Sequence, residues 1–231
     1  MNYLTGNPSS FKKTSSEMVA GILPTVKYLG LIHIPAEGPF LVTLNHYSRE
    51  GFFIAWAAAA ITVVMPRDPI WMMTSAWTNR RGGLDSIRTT LTKRIFLRLA
   101  EVYGFVTTPP MPPAEDELME RMVSIRKLMG LLKNQPEPIL CIAPEGMDFP
   151  GGNLAIPYPG SGKLILQLGQ ILKRVLPVGV YEKEGKLHVR FGKTYSLLDE
   201  KFADDFLVRK TVMERIADLL PVSLNQIQNL Y

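Results

Sequence analysis

Cysteine is almost missing from this sequence: the sole thiol is Cys141, inside the apolar run ILCIA. One cysteine excludes a disulfide framework and a cysteine-built zinc cage, and the apolar setting reads as a buried, inert side chain. Histidine is nearly as scarce, with only His33, His46 and His188, so no multi-histidine metal site is expected. Long hydrophobic runs are lacking too. The longest uncharged stretch, Gly51 to Pro66, falls short of the ~20 apolar residues that span a bilayer and reads as a buried helix. The opening MNYLTGNPSSFKKTSSE has no apolar core, so no signal peptide is expected and a cytoplasmic location follows by elimination. Nucleotide motifs fail as well. GSGKL at Gly160 has Pro157 where a phosphate-binding loop needs its leading glycine, FGKT has Leu187 there, and no Gly-x-Gly-x-x-Gly or Gly-x-Ser-x-Gly occurs.

What remains is ordinary globular material: 231 residues, 46% hydrophobic and 20% charged. Residues 1–27 read as a polar segment with a short helix, capped by Ser15 or Ser16 and stopped by Pro24. Residues 28–231 read as one domain, because no linker is visible. VKYLGLIHI, FLVTL, GFVTT, ILCIA, VLPVGVY and LHVRF read as strands, the last with one face exposed. Helices are expected over about 51–65, 86–103, 115–133, 161–173 and 201–220. The third of these has an apolar stripe of Leu118, Met122, Ile125, Met129 and Leu132. Strands alternating with helices predict an α/β fold: a central, mostly parallel or mixed sheet flanked by helices. Function in such folds sits in loops beyond the carboxyl ends of strands, which singles out NHYSREG after FLVTL and PEGMDFPGG after ILCIA.

The net charge of +5 is concentrated. Arg80, Arg81, Arg88, Lys93, Arg94 and Arg98 stand against the one acid Asp85, so this segment carries the whole excess. Trp71 and Trp77 precede it, and indoles favour the membrane–water boundary. The combination predicts an anionic lipid surface as partner and peripheral membrane association. Only Phe96 interleaves the cations, so nucleic acid is not expected.

His46 follows a buried strand and precedes a helix, where an imidazole can act as general base near neutral pH, with Asn45 fixing the turn. The stretch GLIHIPAEGPFLVTLNHYSREGFF, with Asn45, His46 and Ser48, resembles the Asn-His-x-Ser block of the glycerolipid (lysophospholipid) acyltransferase superfamily. IAPEGMDFPGGNLAIPYPGSGKL, with Pro144, Glu145 and Gly146, is similar to that family's Pro-Glu-Gly block. VLPVGVY and VMERIADLLP resemble its later strand and final helix. The sequence is identified as a divergent, 1-acylglycerol-3-phosphate acyltransferase-like member over roughly residues 28–221. The resemblance implies a histidine that takes the proton of an acceptor hydroxyl as the hydroxyl attacks an acyl thioester. The co-substrate is then acyl-coenzyme A or an acyl carrier protein, and no cofactor or metal is needed. Glu145 and Gly146 are expected to shape the acceptor site, with Asn45, Ser48, Arg49 and Pro144 around it.

Three departures qualify this. The family's aspartate, five residues after its histidine, falls on Gly51, and Glu50 stands one position early with a longer arm. Thr108 or Pro109 replaces one family arginine, and Met147-Asp148 replaces Thr-Arg. Loss of both arginines argues against a phosphorylated acceptor, although Arg49 in the histidine loop can partly replace them. The expectation is acyl transfer to a hydroxyl of a lipid or glycerol-type acceptor, with His46 as base and Glu50 as orienting partner. The alternative is a lipid- or acyl-carrier-binding relative that kept the fold and lost the reaction.

Overall fold

The computed structural model describes residues 7–21, 25–77, 85–112, 114–147 and 153–229. In chain order its elements are α1 (Phe11–Gly21), β1 (Val26–Leu29), β2 (Phe40–Leu44), α2 (Ile54–Val64), β3 (Ile70–Thr74), α3 (Asp85–Tyr103), β4 (Val106–Thr108), α4 (Leu118–Asn134), β5 (Ile139–Ile142), β6 (Leu154–Ala155), α5 (Ser161–Leu172), β7 (Arg174–Lys183), β8 (Lys186–Phe191), α6 (Asp205–Ala217) and β9 (Ile227–Gln228). They fall into two compact units, Phe11–Pro69 with the chain from Pro136 onward, and Ile70–Gln135 with the residues up to Ser10.

The larger unit is built on strands in the order β1-β8-β7-β2-β5. β2 and β5 are buried at every position, as their uninterrupted apolar sequences predict for strands covered on both faces. They pair in parallel from Phe40↔Ile139 to Thr43↔Ile142, and β2 pairs in parallel with β7 from Phe40↔Arg174 to Leu44↔Val178. β8 returns antiparallel through the hairpin at Lys183↔Lys186, and β1 joins β8 in parallel. The expected mixed, mostly parallel α/β sheet is therefore present. α1 packs on α2, and α5 packs on α6, which also meets β7. The short pair β6–β9 lies beside α6.

The smaller unit holds the parallel pair β3–β4, with α3 and α4 packed on β4. Among the described residues no helix is long and apolar enough to cross a membrane.

Some local expectations are corrected. The first helix begins earlier than Ser15, at Phe11, because its cap comes from far away: the Lys12 N–H donates to Asp68 Oδ1 at 2.7 Å. β1 stops at Leu29 because Gly30 takes a left-handed φ of 74°, and a Cβ there would lie 2.2 Å from the Phe191 carbonyl oxygen. α4 buries Leu128 and Leu132, whereas Leu118 and Met122 are exposed. β8 does not alternate cleanly: His188 is buried, its ring stacked 5.0 Å from Tyr181.

Candidate active site

β2 and β5 run side by side in the same direction, so the chain leaves both at one end of the sheet. Two residues past Leu44 on one strand is His46, and three past Ile142 on the other is Glu145. The register carries the two residues to one place. The His46 backbone N–H donates to Glu145 Oε2 at 2.7 Å. The other carboxylate oxygen, Oε1, accepts from the Ala155 N–H in β6 at 2.9 Å. Glu145 is thus buried, at 2% exposure, as a bridge between the histidine turn and β6. Burial pushes its carboxyl up to about 7, and the two backbone donors pull the other way. The turn that presents it closes with the Gly146 N–H on the Ala143 carbonyl at 3.1 Å, Pro144 lying within that turn.

Asn45 fixes the turn from the other side. Its Nδ2 donates to the Val180 carbonyl at 2.9 Å, and its Oδ1 accepts the Val180 N–H at 2.7 Å. One amide side chain thereby continues the β2–β7 ladder past the last backbone pair, Leu44↔Val178. The turn holding His46 is tied to β7 through Asn45 and to β5 and β6 through Glu145.

The loop beyond His46 is tied down again. Arg49 forms a two-pronged ion pair with Glu182, near the end of β7: Nη2 donates to Oε1 at 2.7 Å and Nε donates to Oε2. The Tyr47 hydroxyl donates to Glu182 Oε2 at 3.2 Å. The Arg49 guanidinium holds the Glu182 carboxyl below the usual carboxylate range. Arg49 Nη1 donates to the Glu50 carbonyl at 2.7 Å, and the Phe52 N–H closes a turn on Arg49 O at 3.0 Å.

The comparisons agree with this architecture. The chain is similar to the crystal structure of the 1-acyl-sn-glycerophosphate (LPA) acyltransferase, PlsC, from Thermotoga maritima. The TM-score is 0.58 at 16% identity, covering 90% of this chain and 76% of that one. This chain has an LPA acyltransferase-like fold. No family model and no curated protein matches it by sequence.

Within this acyltransferase-like fold the expected site residues divide. Asn45, His46, Pro144, Glu145 and Gly146 come together at the ends of β2 and β5. Ser48 lies half-buried between His46 and Arg49 in the same loop. Glu50 does not join them: it is exposed, and among the described residues its carboxylate forms no hydrogen bond or ion pair. Gly51, where the sequence resemblance leads one to expect an aspartate, has a left-handed φ of 75° in the tight turn after Arg49, a conformation that costs a residue with a side chain about 1–2 kcal/mol. Of the basic segment, Arg80, Arg81 and the side chain of Arg88 lie outside the described residues, as does Asp148. Arg94 is exposed on α3, where Arg98 pairs with Glu101 at 3.1 Å, and Lys93 reaches Glu120 on α4 at 3.4 Å.

Glu182 and Tyr47 were not singled out by the sequence. An acid at the end of a strand has no local signature, and its partner is 133 residues away. GSGKL is also explained. Asp205 of α6 occupies the start of α5, accepting from the Gly160 N–H at 3.0 Å and the Lys163 N–H at 2.9 Å, where a phosphate loop would leave its donors open.

Proposed function

We propose that this protein transfers a fatty acyl group from an acyl thioester, carried by coenzyme A or an acyl carrier protein, to a hydroxyl of a lipid or glycerol-type acceptor. His46 is the general base. The observation that carries this reading is the union of Asn45, His46 and Glu145 at one sheet end of an LPA acyltransferase-like fold. The imidazole takes the proton of the acceptor hydroxyl as its oxygen attacks the thioester carbonyl. Collapse of the tetrahedral intermediate breaks the carbon–sulfur bond, and the proton passes from the imidazolium to the leaving thiolate. Asn45 and Glu145 hold the backbone of the base, so it is pre-positioned before substrate arrives. The acceptor places this work at a membrane surface, and peripheral attachment through the cations of α3 belongs to the same reading.

Gly51 and the solvent-facing Glu50 favour a second reading, a lipid- or acyl-carrier-binding relative without turnover, because neither of these two positions supplies a carboxylate to orient the imidazole as in a catalytic dyad. The test is acyl transfer by purified protein from labelled acyl thioesters, wild type against His46→Ala, with mass spectrometry of the lipid products. Turnover lost in the variant supports the first reading. Binding of acyl donor or lipid without turnover in either protein supports the second.

A further inference from the structure

The guanidinium in the loop of the proposed base is engaged at each of its three nitrogens. Arg49 lies three residues after His46 in the loop tied to β7, and three of its nitrogens donate: Nε and Nη2 to Glu182, Nη1 to the Glu50 carbonyl. Its Cζ lies over the Phe52 ring, 5.8 Å from the ring centre. The Glu182 carboxylate accepts the Tyr47 hydroxyl as well, so a third group fixes its position. The neighbouring cation at the end of β7, Lys183, has Glu184 beside it at 3.9 Å. A bidentate arginine–carboxylate pair occupies the same two-pronged geometry with which arginine grips a phosphate. A phosphate arriving here would have to displace Glu182 and then sit beside its negative charge.

We propose that Glu182 is a specificity-determining residue that withholds Arg49 from anionic groups, so that the acceptor taken at His46 carries its hydroxyl on an uncharged group rather than next to a phosphomonoester. This rests on the acyl-transfer reading for the identity of the substrate. The engagement of Arg49 does not. Glu182 acts through Arg49 and is a positioning residue. Removing its carboxylate frees a guanidinium within the loop of the base and should turn phosphate from excluded to bound.

The experiment follows the Arg49 Nε–H resonance of the ¹⁵N-labelled full chain, assigned by its loss in Arg49→Lys, during titration with sn-glycerol 3-phosphate and, separately, glycerol. In wild type the signal stays unmoved by either probe to millimolar concentration. In Glu182→Ala it shifts saturably with glycerol 3-phosphate alone. Glu182→Gln, which keeps the shape and loses the charge, moves in the same direction, and Glu182→Asp restores the wild-type silence. A saturable wild-type shift with glycerol 3-phosphate, or silence in both Glu182→Ala and Glu182→Gln, overturns the proposal. In parallel, acylation of monoacylglycerol is compared with that of lysophosphatidate. The ratio of kcat/KM for the phosphorylated over the neutral acceptor should rise about tenfold or more in Glu182→Ala, the scale of one charge-assisted contact. A wild-type preference for lysophosphatidate overturns the proposal. If the resonance behaves as expected and neither acceptor is acylated, the acyl-transfer reading fails while the sequestration of Arg49 stands.

Discussion

The Glu145 carboxylate receives the backbone N–H of His46 at 2.7 Å, across the ends of two adjacent parallel strands. The bond goes to the main chain, not the imidazole, so Glu145 sets where the histidine stands and leaves the ring to other neighbours. Because the same carboxylate also receives the Ala155 N–H, one buried side chain joins the histidine turn to the β6–β9 pair.

That bridge makes stability depend on pH. Burial raises the Glu145 carboxyl from its ordinary 4.5 to about 7 in the folded chain. The stability it contributes is therefore full below about 4.5 and is lost as pH rises through about 7. In urea unfolding, wild type should lose on the order of 3 kcal/mol relative to Glu145→Gln between pH 4 and pH 8. The amide can accept only one of the two N–H groups, so the variant also carries a pH-independent cost of about 1–3 kcal/mol. Stability curves that run parallel at every pH would show that Glu145 does not titrate in this range.

His46→Ala should lower acyl transfer by about 100-fold or more, the usual cost of a lost general base. The side chain is half-buried and the anchoring bond uses its backbone, so the melting temperature should move little. Activity near wild type would remove His46 from the chemistry.

Asn45→Ala tests the other anchor. It strips two hydrogen bonds from a side chain at 1% exposure and leaves the Val180 N–H and carbonyl without partners. The expected cost is about 2–4 kcal/mol in urea unfolding, with activity falling as the histidine turn loosens. A loss under about 1 kcal/mol would mean that water takes the place of the amide.

Much of this was legible in the sequence, for identifiable reasons. FLVTL and ILCIA announce fully buried strands by their unbroken apolar content, and the chemistry-bearing loops follow directly from where those strands end. Patterns show an element's own faces but not its distant partners. The cap that starts α1 comes from Asp68, the guard on Arg49 comes from Glu182, and the carboxylate under His46 points at a backbone amide. Exposure of Leu118 and Met122 on α4 likewise depends on what stands beside the helix, which its stripe cannot encode.

Glu50 offers a direct check on whether an exposed acid takes the place of the missing aspartate. Its carboxylate faces solvent without a partner among the described residues, so Glu50→Gln should leave acyl transfer within about threefold of wild type, the range of an exposed substitution. A loss of about 100-fold would mean that the loop rearranges on binding substrate to bring the acid to the imidazole.

Attachment to anionic lipid is the remaining test. The segment from Arg80 to Arg98 carries the whole net charge of the chain, and its described part is the middle of α3, where Leu91, Ile95 and Leu97 are exposed along with Arg94. The pairs Lys93–Glu120 and Arg98–Glu101 do not lock these cations. All four side chains are more than a third exposed, at 45% and 49% and at 36% and 66%, and such surface pairs are each worth about 0–1 kcal/mol. A cation near an anionic bilayer gains about 1 kcal/mol, so several engaged together give reversible docking at low salt. The Debye length shortens from ~30 Å at 0.01 M to ~8 Å at physiological ionic strength, so binding should weaken sharply as salt rises. Co-sedimentation with vesicles containing phosphatidylserine should retain wild type and release a variant with Arg88, Lys93, Arg94 and Arg98 changed to Gln. Vesicles of phosphatidylcholine alone should hold neither protein. Equal retention of the two proteins, or retention indifferent to lipid charge, would assign these cations to a solvated helix face and leave any attachment to the exposed apolar side chains.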